Sequence, residues 1–118
     1  MLEAVDHIDL KVPDLEQAVA WFAGLGLVER RRLPERKSVE LALPGEGQVV
    51  FELREDATLE AFVIDHVAFR SRSQATDAAA ISEATGATFS RTDTFIPVTG
   101  KTISDFTDPY GMRWQLSD

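Results

Sequence analysis

Apolar and polar residues alternate along Ala4 to Val12, with Ile8, Leu10 and Val12 on one parity and Val5, His7, Asp9 and Lys11 on the other. This period of two predicts a strand with one apolar face. Pro13 stops it, and Asp14 stands where a helix N-cap belongs, with Gln17 three residues on as a capping-box partner. Leu15, Ala18, Val19, Phe22 and Leu25 then recur at helical spacing until Gly24 and Gly26 end the run. Leu27 to Leu33 reads as a charged, edge-like strand closed by Pro34. Arg36 to Leu43 and Gln48 to Arg54 alternate again, separated by the turn Pro44-Gly45-Glu46-Gly47. The first half is thus β-α-β-β-β, and the acidic stretch from Glu55 to Phe62 reads as a linker.

The chain then starts again. Ile64-Asp65-His66-Val67-Ala68-Phe69 repeats the plan of Val5-Asp6-His7-Ile8-Asp9-Leu10, and internal repetition governs any reading of a fold. Ser73 is positioned to cap an alanine-rich helix through Thr85, with Ala75, Ala78, Ala79, Ile81 and Ser82 as its expected packing side and Gly86 as its stop. Strands follow at Ala87 to Thr92, Lys101 to Thr107 and Met112 to Leu116. A long loop from Asp93 to Gly100 carries Phe95 and Ile96, and Asp108-Pro109-Tyr110-Gly111 forms a tight turn. Neither half could bury its apolar face alone. The expectation is one domain over 1–118, with module one at about 1–56 and module two at about 62–118.

The other strand parity is where polarity becomes informative. It carries His7, Asp9, Glu52, Arg54, His66, Arg70, Arg113 and Gln115. Glutamate is disfavoured in mid-strand, yet Glu52 stands among Val49, Val50, Phe51 and Leu53; a carboxylate there must be paired, hydrated or metal-bound. The only two histidines occupy matching positions of the repeats, and each half ends in a strand bearing an oxygen donor, Glu52 or Gln115. If the halves pair about a pseudo-two-fold axis, two imidazoles, a carboxylate and an amide oxygen converge, a donor set suited to a first-row divalent ion. The bland alternative is hydrogen-bonded structural histidines, with Glu52 paired to an arginine and Asp6 and Asp65 making strand-end contacts.

Composition narrows the classes. The absence of cysteine excludes disulfides and thiolate metal sites. A net charge of −8 argues against nucleic acid, whose binding rests on cationic contacts to phosphate. No apolar run approaches the length that crosses a bilayer, and the N-terminal residues lack the basic-then-apolar layout of a signal peptide. The expectation is a cytoplasmic protein with no membrane or nucleic-acid partner.

At these residues the chain resembles the vicinal oxygen chelate superfamily, which includes glyoxalase I, methylmalonyl-CoA epimerase, extradiol dioxygenases and the fosfomycin- and bleomycin-resistance proteins. Its most specific piece is Phe106-Thr107-Asp108-Pro109-Tyr110-Gly111-Met112-Arg113-Trp114-Gln115-Leu116. Tyr110 stands where the family usually has aspartate, and Gln115 where it usually has a metal-binding glutamate. The resemblance implies an α+β fold of two βαβββ modules forming an incomplete barrel around a metal. It further implies His7, Glu52, His66 and Gln115 as ligand positions for a divalent ion such as nickel, zinc, manganese or iron.

The resulting expectation is a glyoxalase I-like lyase or isomerase acting on a small substrate chelated through adjacent oxygens. Glu52 is its foremost acid/base group and Asp9 the reserve base. Arg54, Arg70 and Arg113 are candidates for holding an anionic substrate group, and Phe95 for walling the pocket. A metal-free, bleomycin-resistance-type protein that sequesters a small cationic compound is the alternative, and an extradiol-type dioxygenase a further one. The resemblance also implies a homodimer.

Overall fold

A computed structural model describes all residues 1–118. The chain divides into two compact units, His7–Asp65 (the N-terminal unit) and His66–Asp118 together with Met1–Asp6 (the C-terminal unit). The elements run β1 (Ala4–Val12), α1 (Leu15–Gly24), β2 (Val28–Leu33), a single 3-10 turn (Pro34–Arg36), β3 (Ser38–Ala42) and β4 (Val50–Glu55). The second copy is β5 (Val63–Arg70), α2 (Gln74–Thr85), β6 (Phe89–Ile96), β7 (Lys101–Thr107) and β8 (Arg113–Ser117). The fold is α+β, built from two βαβββ modules as the repeat predicts. No helix is long and apolar enough to cross a membrane.

In the N-terminal unit the strands lie in the order β2-β3-β4-β1. β2, β3 and β4 form an antiparallel meander, whereas β1 joins β4 in parallel with His7 opposite Val50 and Asp9 opposite Glu52. The parallel pairing follows from the helix, which carries the chain back across the sheet. Asp14 caps α1, its Oδ1 accepting the Gln17 amide at 3.0 Å. Leu15, Ala18 and Phe22 of the helix pack on Leu10, Val12, Val39, Leu41 and Leu53, the apolar parity of three strands. The stretch expected as a bare linker also serves this unit: Glu55 Oε1 accepts the Leu15 amide at 3.1 Å, and the Phe62 ring stacks on Phe22.

The C-terminal unit repeats the topology as β5-β8-β7-β6, with His66 opposite Arg113 and Ala68 opposite Gln115. Its interior is built differently. The buried face of α2 is Gln74, Asp77, Ala78 and Ile81, while Ala75 and Ala79 are exposed, which corrects the expected packing side. The reason is a polar network. Gln74 donates to the Thr102 carbonyl and accepts from the Ser104 hydroxyl, and Asp77 accepts from Ser71, with distances of 2.6 to 2.7 Å. Ser73 makes no capping bond to the backbone. Strand β6 continues to Ile96 past a distortion at Asp93, where φ is 47°, so Phe95 lies on a strand rather than in a long loop.

Candidate functional site

The strand parity facing away from the helices is polar and nonetheless buried. His7, Asp9, Glu52, His66 and Gln115 are all less than a tenth exposed. In each unit the histidine sits on the first strand, and the oxygen donor lies across the parallel ladder from the residue two further on: Glu52 opposite Asp9, Gln115 opposite Ala68. Alternating side-chain direction then sets each histidine and its donor on one face.

In the N-terminal unit His7 Nε2 lies 3.9 Å from Glu52 Oε2, too far for a hydrogen bond between them. Glu52 Oε1 is buried without a hydrogen bond although Arg36 Nη2 stands 3.2 Å away. Beside this pair, Arg54 closes on the fully buried Asp9, its Nε and Nη2 at 3.1 and 3.0 Å from Oδ1 and its Nε at 2.9 Å from Oδ2. Arg54 also reaches Asp65 at 3.2 Å, and Lys11 approaches Asp65 at 3.3 Å. Burial works against the charge of Arg54, but Asp9 and Asp65 outweigh it and raise its pKa above the ordinary value. Asp9 and Arg54 are therefore engaged with each other.

In the C-terminal unit Gln115 Nε2 donates to Asp105 Oδ1 at 2.9 Å. Arg91 Nε hydrogen-bonds the other oxygen of Asp105, and Arg113 Nη2 lies 3.6 Å from Oδ1. Burial alone would raise the Asp105 pKa; the hydrogen bonds from Gln115 and Arg91 and the charges of Arg91 and Arg113 lower it below the usual carboxylate value. Arg70 lies 3.4 Å from Asp6, which also receives Lys101 at 2.9 Å. Phe95 is 59% exposed, opposite Thr102. The turn at Asp108 is tied by its own carboxylate, which accepts the Tyr110 and Met112 amides and the Trp114 indole N–H.

Three residues of these clusters escaped the sequence pattern. Glu40 on β3 faces Glu52, and Asp105 on β7 faces Gln115, so the two are equivalent across the repeat. Each is held by the arginine opposite it on the edge strand, Arg31 or Arg91. The third is Arg36, at the end of the 3-10 turn beside Glu52. The available signal was an isolated acid in the third strand of each half, Val39-Glu40-Leu41 and Ser104-Asp105-Phe106. A cavity of about 450 Å³ also opens in the C-terminal unit, lined by Phe69, Ala87, Phe106, Trp114 and the Asp108-Pro109 turn. Phe69 and Trp114 belong to the helix-side parity, so it lies on the opposite face of the sheet from His66 and Gln115.

A duplicated βαβββ module with a buried polar sheet face defines a class of protein rather than a reaction. The profile of the Glyoxalase/Bleomycin resistance protein/Dioxygenase superfamily matches residues 4–116, and the chain belongs to that superfamily. Among solved structures it is similar to a variant of Streptomyces coelicolor methylmalonyl-CoA epimerase in complex with 2-nitronate-propionyl-CoA. The TM-score is 0.75 at 19% identity, covering 99% of this chain and 97% of the other. A selenomethionine methylmalonyl-CoA epimerase gives 0.75 at 17% identity, with 99% and 95% covered. The methylmalonyl-CoA epimerase of Mycobacterium tuberculosis gives 0.64 at 19%, with 98% and 87% covered. At these identities the likeness concerns the fold. No curated protein matches the sequence.

Proposed function

We propose that this protein is a metal-dependent lyase or isomerase of the glyoxalase type, with His7, Glu52, His66 and Gln115 as ligands. The observation that carries the reading is the His7–Glu52 pair. Glu52 is a buried carboxylate whose Oε1 makes no hydrogen bond beside its ion pair with Arg36 and whose Oε2 lies 3.9 Å from an imidazole nitrogen, a separation that leaves room for an ion. The donor chemistry fits: imidazoles, one carboxylate and one amide oxygen suit nickel, zinc, manganese or iron.

Asp9, Asp65 and His66 are a second set of groups that could hold an ion. There an incoming cation would compete with Arg54 on both carboxylates and with Lys11 on Asp65, as it would with Arg36 on Glu52 in the first set. A bound divalent ion supplies Lewis-acid polarisation of a substrate oxygen. Glu52 would accept a proton from the carbon beside that oxygen; Arg36 neutralises the charge on the same carboxylate. Asp9, clasped by Arg54, holds the strand pair together and stands as the reserve base. Arg113 and Arg70 remain candidates for an anionic substrate group, and Phe95 for its apolar wall. The substrate is a small molecule with adjacent oxygens. The likeness to epimerases crystallised with CoA esters makes a 2-substituted malonyl thioester the first to try. A homodimer is the proposed assembly.

The test is metal content of untagged protein, then calorimetric titration of chelator-stripped protein with each ion. Methylmalonyl-CoA, the methylglyoxal–glutathione hemithioacetal and catechol follow as substrates. Tight binding that disappears in His7→Ala and His66→Ala supports the reading. Absence of binding by the wild type overturns it and favours the alternative, a metal-free binder of cationic compounds, for which the net charge of −8 speaks.

A further inference from the structure

The amide of Gln115 has two ends, and only its oxygen can bind a metal ion. In a glutamine the choice between them belongs to the neighbours. Here the β7–β8 register sets Asp105 directly opposite, both residues are 4% exposed, and Gln115 Nε2 reaches Asp105 Oδ1 at 2.9 Å. An ionised carboxylate accepts hydrogen bonds and donates none. Arg91 on one oxygen and Arg113 near the other favour the ionised form. A flipped amide would aim its carbonyl oxygen at that carboxylate, with no proton between the two oxygens.

We propose that Asp105 is a positioning residue that fixes the Gln115 amide with its nitrogen toward β7, leaving its oxygen as the atom available to a divalent ion. The inference rests on Gln115 being a ligand position, as argued above. It accounts for the departure at this position. With a buried carboxylate at 105, a second at 115 would place two like charges face to face, whereas glutamine turns the same adjacency into a hydrogen bond. The other unit shows the contrasting solution. Glu40 occupies the position of Asp105, but Glu52 faces it as a carboxylate, with Arg36 beside Glu52 and Arg31 on Glu40. One module carries an anionic donor and the other a neutral donor held by an anion behind it.

The test uses three variants of the full chain: Asp105→Asn, Gln115→Glu and the double exchange Asp105→Asn/Gln115→Glu. Calorimetric titration with zinc and nickel reads ligation, and the side-chain NH₂ resonances of Gln115 in ¹⁵N NMR read orientation directly. Asp105→Asn is expected to lose about 10–100-fold in metal affinity, the usual effect of removing a partner that orients a ligand, and to shift or broaden the Gln115 NH₂ signals. Gln115→Glu is expected to weaken binding through repulsion. The double exchange restores it, because the amide introduced on β7 can donate to the carboxylate introduced on β8. Thermal unfolding of each variant separates loss of fold from loss of orientation. Unchanged affinity with unmoved NH₂ signals in Asp105→Asn overturns the proposal, as does failure of the folded double variant to recover. Should the wild type bind neither ion, the metal reading fails by itself, and the NMR comparison still decides whether Asp105 orients the amide.

Discussion

The two units share a topology and differ in what they bury. The N-terminal unit packs Leu10, Val12, Phe22, Val39, Leu41 and Leu53 into one apolar cluster. The C-terminal unit buries Ala78, Ile81 and Leu116 and adds Gln74, Asp77, Ser71 and Ser104 in a hydrogen-bonded network. On the opposite sheet face both units are polar, but one buried charge pair occurs in only one of them. The N-terminal unit there carries Asp9 clasped by Arg54, while the matched positions Ala68 and Ser117 hold no charge. A duplicated module thus keeps its backbone plan while changing which polar groups it buries on each face of the sheet.

The sharpest way to break this comparison is at the donors. His7→Ala and His66→Ala should each abolish tight metal binding, by more than the about 10–100-fold that losing an outer partner costs. If only one does, the site belongs to one unit. Next come the cores. Leu53→Ala should cost about 2–5 kcal/mol by urea unfolding, whereas Gln74→Ala, which strips partners from Ser104 and the Thr102 carbonyl, should cost about 1–3 kcal/mol. Arg54→Met should cost about 3 kcal/mol by leaving Asp9 buried and unpaired. The double change Asp9→Ala/Arg54→Ser, which copies the other unit, should be milder than Arg54→Met. At the helix starts, Asp14→Ala should cost about 1 kcal/mol and Ser73→Ala less, since Ser73 makes no capping bond.

The smallest effect is in acid. The Trp114 indole N–H, against an opposing effect of burial, and the amides of Tyr110, Met112 and Gly111 hold the Asp108 carboxyl below its ordinary 3.8. Stability from this turn is therefore fully present above about pH 4 and is lost as pH falls through the lowered value. Trp114 fluorescence and the Asp108 carboxyl chemical shift should titrate together there, and in Asp108→Asn the acid transition of Trp114 should vanish.

Strand alternation, the repeat, the Asp14 cap and the stop at Gly86 were legible because each depends on residues near in sequence. The burial of the Glu52 carboxylate was legible because a glutamate amid valines and leucines violates a local rule. Asp105, Glu40 and Arg36 were not, because what they do follows from strand register and turn placement, which no single stretch encodes. The buried face of α2 departs from the helical pattern for a related reason. Alanine is apolar but small, and the partners of Gln74 and Asp77 lie on β7 and at the end of β5, out of view of helical periodicity. The continuation of β6 was hidden by the left-handed backbone at Asp93, which shifts the alternation.

The make-up of the units also sets an order of assembly. His7–Asp65 is one unbroken length of chain, whereas its counterpart combines Met1–Asp6 with residues beginning at His66. The Glu3 amide bonded to the Arg70 carbonyl at 3.0 Å and the Asp6–Arg70 and Asp6–Lys101 pairs join segments more than sixty residues apart. Contacts that close so long a loop form only after its entropy is lost, so they come late. The strands and helix of His7–Asp65 can therefore meet before those long-range contacts form. Glu3 and Asp6 gain these partners only when β5 and β7 are in place.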